Sequence, residues 1–317
     1  MQYFLRRLLI NIPVFFAVTL LIYALINLAP GDPIDFFVNE EVGISREDLA
    51  FLEEQFGLND PFMLRYGKWL MNIFQGDLGF RFKNGDDVAE VLRERLGRTI
   101  LLMGSALLVA SIGGILLGIF IGLRQYSSWD FLLTTLSFIG ISMPAFIAGI
   151  FGLYIFSVKL GWLPSGGMRT IGQPASFLDS LRHLILPAGT LAILQIATFM
   201  RYMRFSVLEV KQADFIRTAK AKGLYPHQIT YRHLLRNAIL PVVTVIGLAL
   251  PTLVAGALFT ETIYSWPGIG SLFVDAVLVR DYPMVMGIML VIALVVLLAN
   301  LITDLLYGLI DPRIRLE

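Results

Sequence analysis

The sequence has no cysteine and little charge. The absence of cysteine from its 317 residues excludes a disulfide-stabilised scaffold, cysteine nucleophiles and thiolate-bound zinc or iron–sulfur centres. Charged residues make up 15% of the chain, whereas soluble domains carry about 25%. Hydrophobic residues reach 56%, so the composition disfavours a soluble enzyme and excludes an intrinsically disordered chain.

Several enzyme motifs are also missing. The chain has no G-x-x-x-x-G-K-[ST] phosphate loop, no H-E-x-x-H zinc motif and no G-x-S-x-G nucleophile motif. Its three histidines, His183, His227 and His233, lack metal-ligand spacing. We therefore expect no catalytic residue, no metal site and no cofactor in this chain. Asp304, near the end of an apolar stretch, is interpreted as an interfacial residue rather than a proton relay.

Long uncharged stretches dominate what is present. A helix needs about 20 residues to cross a hydrocarbon core about 30 Å thick. Six stretches meet or approach this length and predict six transmembrane helices: 8–31, 99–123, 131–158, 184–200, 237–260 and 282–303. The second stretch is rich in small residues, which let membrane helices pack closely: Gly104, Ser105, Ala106, Ala110, Ser111, Gly113, Gly114, Gly118 and Gly122. We expect an all-α membrane bundle forming a single domain, 1–317.

The placement of Lys and Arg indicates the orientation of these helices. With the N-terminus inside, the inner segments carry 13 basic and 6 acidic residues, and the outer segments carry 12 and 18. Eight of the outer basic residues lie in the long segment 32–98, which the positive-inside rule discounts. The sequence therefore predicts that both termini are inside.

Residues 32–98 are predicted to form an extracytoplasmic helical insertion. Ser45 is a candidate N-cap of a first helix that ends at Gly57. Pro61 begins a second helix, which Gly76 ends. One face of the second helix is apolar and consists of Phe62, Tyr66, Trp69, Leu70 and Ile73. We expect these helices to pack on each other or on the membrane surface.

The longest predicted inner loop is 201–236. Its eight basic residues are Arg201, Arg204, Lys211, Arg217, Lys220, Lys222, Arg232 and Arg236. The pattern predicts one helix over 207–222, a left-handed C-cap at Gly223 and a second helix over 226–236. The positive-inside rule alone explains the charge, but a helix–glycine turn–helix favours a docking element for a cytosolic partner. Nucleic-acid binding is disfavoured because the segment is tethered between spans and is not expected to present interleaved aromatic residues for base stacking.

The last predicted outer loop, 261–283, contains the run Trp266-Pro267-Gly268-Ile269-Gly270. Tryptophan and tyrosine at this place are typical of an interfacial aromatic belt. A re-entrant plug is the alternative interpretation.

These features together favour a membrane conduit that is driven by something other than this chain. A secondary transporter, an intramembrane enzyme and a structural membrane subunit are the rival classes. Secondary transporters usually contain inverted repeats with paired broken helices, and the sequence shows no convincing internal repeat. The absence of paired buried acids or a Ser/His pair disfavours an intramembrane protease.

Residues 213–224, A-D-F-I-R-T-A-K-A-K-G-L, resemble the inner loop of ABC-importer permeases of the dipeptide/oligopeptide family. Arg217-Thr218-Ala219 stands where the general importer motif has E-A-A, with Gly223 correctly spaced, and 233–236 replaces I-x-L-P. Further segments resemble the first permease subunit of that family and extend the similarity over nearly the whole chain: 29–33, 57–61, 76–79, 95–99, 265–270 and 280–283.

The resemblance implies a type I ABC importer permease in the inner or plasma membrane of a prokaryote. The implied partners are a paralogous second permease, two cytosolic ATPases that bind ATP and Mg, and an extracytoplasmic substrate-binding protein. Hydrolysis of ATP is expected on the ATPases and not on this chain. A peptide substrate is expected, although permeases for nickel, glutathione and some oligosaccharides are similar.

The resemblance and the loop pattern also indicate functional residues. Coupling to the ATPases is expected at Ala213, Asp214, Phe215, Arg217, Thr218, Ala219, Lys222, Gly223, Arg232 and Arg236. Contacts with the binding protein are expected at Asp86, Asp87 and Trp266.

Overall fold

The computed structural model describes residues 2–28, 60–174 and 176–310, with the side chains of 2–8, 252, 255, 256 and 304–310 left out. The first predicted outer helix, from Ser45 to Gly57, lies outside the described residues, as do the motif residues 29–33 and the basic residues Arg313 and Arg315.

The described chain is almost entirely helical. Phe80 and Asp87 form an isolated antiparallel bridge in a short turn. The helices, in chain order, are α1 (Gln2–Leu28), α2 (Phe62–Gln75), α3 (Val88–Leu123), α4 (Ser128–Ser142), α5 (Ala145–Gly152), α6 (Phe177–Lys211), α7 (Asp214–Ala221), α8 (Leu235–Ile263), α9 (Ile269–Leu278) and α10 (Tyr282–Ile310).

Five described helical segments are long and apolar enough to cross a membrane: Leu9–Leu28, Val88–Leu123, Phe177–Lys211, Pro226–Pro251 and Tyr282–Thr303. Each of them overlaps one of the six predicted spans, although three begin before the predicted residue. The sixth is a bent pair of helices that counts as one span or as a re-entrant loop. The all-α, multi-span prediction is therefore confirmed, while the number of crossings stays a prediction.

The predicted continuous span 131–158 is wrong in its geometry. The chain bends by 107° between α4 and the helix that follows it. Met143 is extended (φ −84°, ψ 121°) because a residue before proline is pushed out of the helical region. Pro144 then starts α5 without a backbone N–H to continue the helical ladder. After α5 the chain continues as a π-helical turn, Leu153–Lys159.

Helix α2 has the bounds that the sequence predicted. It follows Pro61 directly, and Gly76 ends it with φ +84° while its N–H donates to the carbonyls of Asn72 and Ile73. A left-handed residue at this position costs least when it is glycine. Within the described residues α2 packs on α1, and its predicted packing with the first outer helix stays a prediction.

The chain divides into two compact units, and the first consists of Met1–Arg98 with Gly268–Leu297. Its largest cluster joins the start of α3 to α9 and α10 through eight buried side chains: Val88, Leu92, Ile269, Leu272, Ala276, Met284, Val285 and Ile288. Asp281, fully buried, accepts hydrogen bonds from Arg81 Nε at 3.3 Å and from the Phe82 N–H at 3.2 Å. This carboxylate fixes the turn that precedes α3 to the turn between α9 and α10.

The second unit consists of Thr99–Pro267 with Leu298–Glu317, and close contact between α3 and α6 organises it. A Cβ added at Gly114 or Gly118 would lie 2.5 Å from the Cβ of Phe199 or Met203, and one at Gly122 would lie 2.8 Å from the Cβ of Val207. The two helices can approach this closely only because glycine has no side chain. The predicted role of small residues in the second span is confirmed at these three positions.

Gly118 is the most restrictive of these positions, since its added Cβ would also lie 2.7 Å from the Met200 carbonyl oxygen. We expect Gly118→Ala to force α3 and α6 apart and to cost about 1–3 kcal/mol. Thermal unfolding of the purified protein should show a lower midpoint temperature.

Gly104→Ala is the matched control, because an added Cβ there meets no atom within 4 Å. It should leave the midpoint unchanged or raise it slightly, as alanine favours the helix. Equal destabilisation by both variants would show that the contact between α3 and α6 is not the cause.

Candidate functional site

The loop predicted at 201–236 is more helical and differently divided than expected. Helix α6 extends to Lys211, where Gln212 ends it, and Ala213 is extended (φ −65°, ψ 146°). The single helix predicted over 207–222 is therefore wrong, since a break separates α6 from the short helix α7. Asp214 lies in the first turn of α7, where a negative charge is favoured by the helix dipole.

Gly223 adopts the left-handed conformation that the sequence predicted, with φ +74°. Its N–H donates to the Lys220 carbonyl at 3.0 Å and so terminates α7. The following helix begins at Pro226, as predicted, but it does not end near Arg236. A π-helical segment, Ile229–Leu234, carries it directly into α8, so the second predicted short helix is one end of a long span.

One face of α7 is anchored on its neighbours. Ile216 and Ala219, spaced three residues apart on one helix face, are 1% and 5% exposed. They belong to a cluster with Met203 and Val207 of α6, with Ile229 and Leu234 of the segment before α8, and with Ala238 and Val242 of α8. Because α7 packs on two long helices, a force on α7 reaches both.

The opposite face of α7 and the turn after it are exposed. Phe215 is 45% exposed. The basic residues of α7 and of the segment that follows it are exposed as well: Arg217, Lys220, Lys222, Arg232 and Arg236. Sequence analysis missed the exposed aromatic residues Tyr225 and Tyr231, which are 67% and 73% exposed. The sequence signal that could have identified Tyr225 is its position in the turn, directly before Pro226, which starts the next helix. The chain from Phe215 to Arg236 therefore exposes both aromatic side chains and positive charge.

A buried ion pair that sequence analysis also missed lies about two turns before the end of α6. Arg204 Nε and Nη2 donate to the two carboxylate oxygens of Asp130 at 2.6 and 2.9 Å. Asp130 is 4% exposed and also accepts from the Tyr126 N–H at 3.0 Å. Such bidentate pairs fix orientation as well as distance, so this pair joins the start of α4 to α6 near the loop.

The predicted binding-protein contacts lie in different surroundings. Asp86 and Asp87 are exposed in the turn before α3, and Asp87 Oδ1 accepts from the Glu90 N–H at 2.9 Å. Trp266 is 1% exposed and packs with Leu102, Ala106, Ala188 and Leu191. Its burial does not support either a belt residue at the lipid interface or a direct contact with a partner. The predicted loop 261–283 also contains a helix, α9.

The arrangement of long apolar helices defines a multi-pass helical membrane protein. Within the described residues, no group of three or more His, Cys, Asp or Glu side chains is placed to hold a metal ion. Residues 114–316 match the family described as the binding-protein-dependent transport system inner membrane component, and residues 1–103 match the N-terminal membrane component of the same systems. The chain belongs to this family of ABC-importer permeases, which confirms the resemblance and the type I permease fold.

Several relatives are similar over nearly their full length. The oligopeptide transport system permease protein AppB of Bacillus subtilis is 41% identical over 314 residues, 99% of each chain. The di/tripeptide transport system permease protein DppB of Pseudomonas aeruginosa is 40% identical over 328 residues, 98% of this chain and 97% of its own. The dipeptide transport system permease protein DppB of Escherichia coli K12 is 39% identical over 336 residues, 99% of each chain.

The buried pair between α4 and α6 should contribute measurably to stability. We expect Asp130→Asn to cost about 1.5–3 kcal/mol, because it removes the charge that Arg204 pairs with in a largely buried position. The free energy of unfolding, or the midpoint of thermal unfolding in detergent, measures this.

Asp214→Asn is the control, since Asp214 and Arg217 form an exposed pair at 3.7 Å. Removing that pair should cost less than about 1 kcal/mol. If the two variants shift unfolding by the same amount, the buried pair has no special structural role.

Proposed function

We propose that this protein is one permease subunit of an ATP-driven peptide importer and that α7 with the following turn couples it to a cytosolic ATPase. The observation that carries the proposal is the anchored helix α7, whose buried face packs on α6 and α8 while its exposed face presents Phe215 and basic residues. The loop sequence resembles the corresponding loop of peptide permeases, and relatives named for oligopeptide and dipeptide transport align over 99% of the chain.

The proposed coupling is mechanical. A partner that grips the exposed face of α7 displaces its two buried residues, Ile216 and Ala219, and these contact both adjoining helices. Because the apolar contacts are close-packed, the helices must move with α7 rather than slide over it. The change in helix position then opens the translocation pathway to one side of the membrane at a time.

The remaining partners follow from the type of importer. A second, paralogous permease completes the pathway, and two ATPases bind ATP and Mg and hydrolyse the nucleotide. A substrate-binding protein delivers the substrate from outside, and the exposed residues Asp86 and Asp87 are the proposed contacts. The protein would lie in the inner membrane of a prokaryote, with six crossings and both termini in the cytoplasm.

Uptake in the source organism tests the proposed substrate class. Deletion of the gene should abolish ATP-dependent accumulation of labelled di- or oligopeptides, and expression of this chain should restore it. If the deletion leaves peptide uptake unchanged but abolishes uptake of nickel, glutathione or an oligosaccharide, that compound is the substrate instead. Normal uptake of all four would contradict the importer proposal.

Gly223 provides a direct test of the coupling loop. An added Cβ at this residue meets no atom within 4 Å, so a substitution acts through the backbone conformation and not through a clash. We expect Gly223→Val to disfavour the left-handed turn by about 1–2 kcal/mol. It should reduce transport and the ATPase activity stimulated by the binding protein, while expression and membrane insertion stay normal.

Gly223→Asn is the control, because asparagine tolerates the left-handed conformation better than other residues with a Cβ. It should retain most of the transport activity. If Gly223→Val transports as well as the wild type, the turn is an ordinary surface loop.

Single cysteines test the orientation, since the chain has none. Lys83 and Lys220 are both exposed, and the charge distribution puts Lys83 outside and Lys220 inside. A thiol reagent that does not cross membranes should label Lys83→Cys in intact cells, and Lys220→Cys only after the cells are opened. If only Lys220→Cys is labelled in intact cells, the orientation of the chain in the membrane is the opposite of the one proposed.

A further inference from the structure

Helix α2 lies against the middle of the first membrane span, although the sequence places it in an extramembrane segment. The Tyr66 hydroxyl lies 3.0 Å from Thr19 Oγ1 and also donates to the Phe16 carbonyl at 3.4 Å. Thr19 is fully buried and is ten residues from the start and nine from the end of the apolar segment Leu9–Leu28. At 1.5 Å per residue, the contact is about 14 Å from either end of that span.

An aromatic cluster holds α2 in this position. The Tyr23 ring lies 5.4 Å from the ring of Phe62, 5.7 Å from that of Tyr66 and 5.4 Å from that of Trp69. Tyr23 is four residues nearer than Thr19 to the C-terminal end of the span. The contacts of α2 with α1 therefore run from Phe16 to Tyr23, across the middle of the span. The aromatic cluster lies in the half nearer the C-terminal end, and that half is about as deep as one membrane leaflet.

The side of α2 that faces away from α1 is apolar and exposed. Successive residues of an α-helix are turned by about 100° around its axis. Counted in this way, the four large exposed apolar residues of α2 lie within an arc of about 100°. Met63, Leu64, Met71 and Phe74 are 66%, 50%, 60% and 65% exposed. A narrower polar strip adjoins this arc and contains Lys68, Asn72 and Gln75, all exposed.

We infer that α2 is embedded in the membrane leaflet at the C-terminal end of α1, with this apolar arc in contact with phospholipid acyl chains. The arc lies on a helix that packs beside a membrane span between Phe16 and Tyr23, within the apolar depth of that span, so the lipid that surrounds the span continues onto it. The helix has the features of an interfacial helix: an apolar face, a polar strip with lysine, and aromatic residues at its contact. On the polar strip, the Lys68 ammonium group pairs with the Asp60 carboxylate, with Nζ 2.5 Å from Oδ2.

Spin labels at single cysteines test this inference, with the full chain co-reconstituted with its partner subunits in phosphatidylethanolamine–phosphatidylglycerol vesicles. Labels at Met71→Cys and Phe74→Cys should collide more often with oxygen, which concentrates in lipid, than with a water-soluble nickel chelate. Lys68→Cys and Asn72→Cys, on the same helix, are the matched controls and should show a severalfold lower ratio of oxygen to nickel collisions.

Two outcomes would overturn the inference. Frequent collisions with the nickel chelate at Met71 and Phe74 would place the arc in water. Rare collisions with both reagents would show that protein, such as the second permease, covers it. The readout does not depend on the substrate, so a transport assay on the same vesicles tests the proposed function separately.

Discussion

The close contact between α3 and α6 is the constraint on which the second unit depends. Gly114, Gly118 and Gly122 leave no room for a side chain against α6, so the two helices have one separation at which they pack. Near the last of these glycines, Ile115 and Ile119 of α3 pack against the cluster that receives α7. The position of the short helix therefore depends on glycines that do not touch it.

Two kinds of interaction fix the position of the C-terminal part of α6. Apolar packing determines its distance from α3, and the bidentate pair of Arg204 with Asp130 determines its rotation relative to α4. Ile216 and Ala219 of α7 pack in the same cluster as Met203 and Val207, which lie on either side of Arg204 in α6. A helix end that is fixed in distance and rotation transmits a displacement instead of absorbing it, which is the property that the proposed coupling to an ATPase requires.

Features set by local sequence were predictable, and features set by distant contacts were not. The ends of α2 and the left-handed turn at Gly223 follow from proline and glycine at single positions. The sharp bend at Pro144 was not predicted, since proline also occurs within unbroken membrane helices. Pro187, for example, lies inside α6.

The missed parts of the candidate site have the same cause. Asp130 and Arg204 are 74 residues apart in sequence, and neither stands in a recognisable motif. The burial of Trp266 depends on side chains from α3 and α6, whereas the sequence around it is equally typical of a membrane interface. The exposed tyrosines near α7 were missed because exposure depends on which face of the following helix packs inward.

The central claim is that the exposed face of α7 contacts a cytosolic ATPase, and photo-crosslinking in intact cells tests it most directly. A photoactivatable phenylalanine analogue at Phe215, which is 45% exposed, should form a covalent product with an ATPase subunit, identified by mass spectrometry. The same analogue at Phe80, which is 63% exposed on the turn before α3, should not. A product with lipid or an extracytoplasmic protein at Phe215, or with the ATPase at Phe80, would contradict the account.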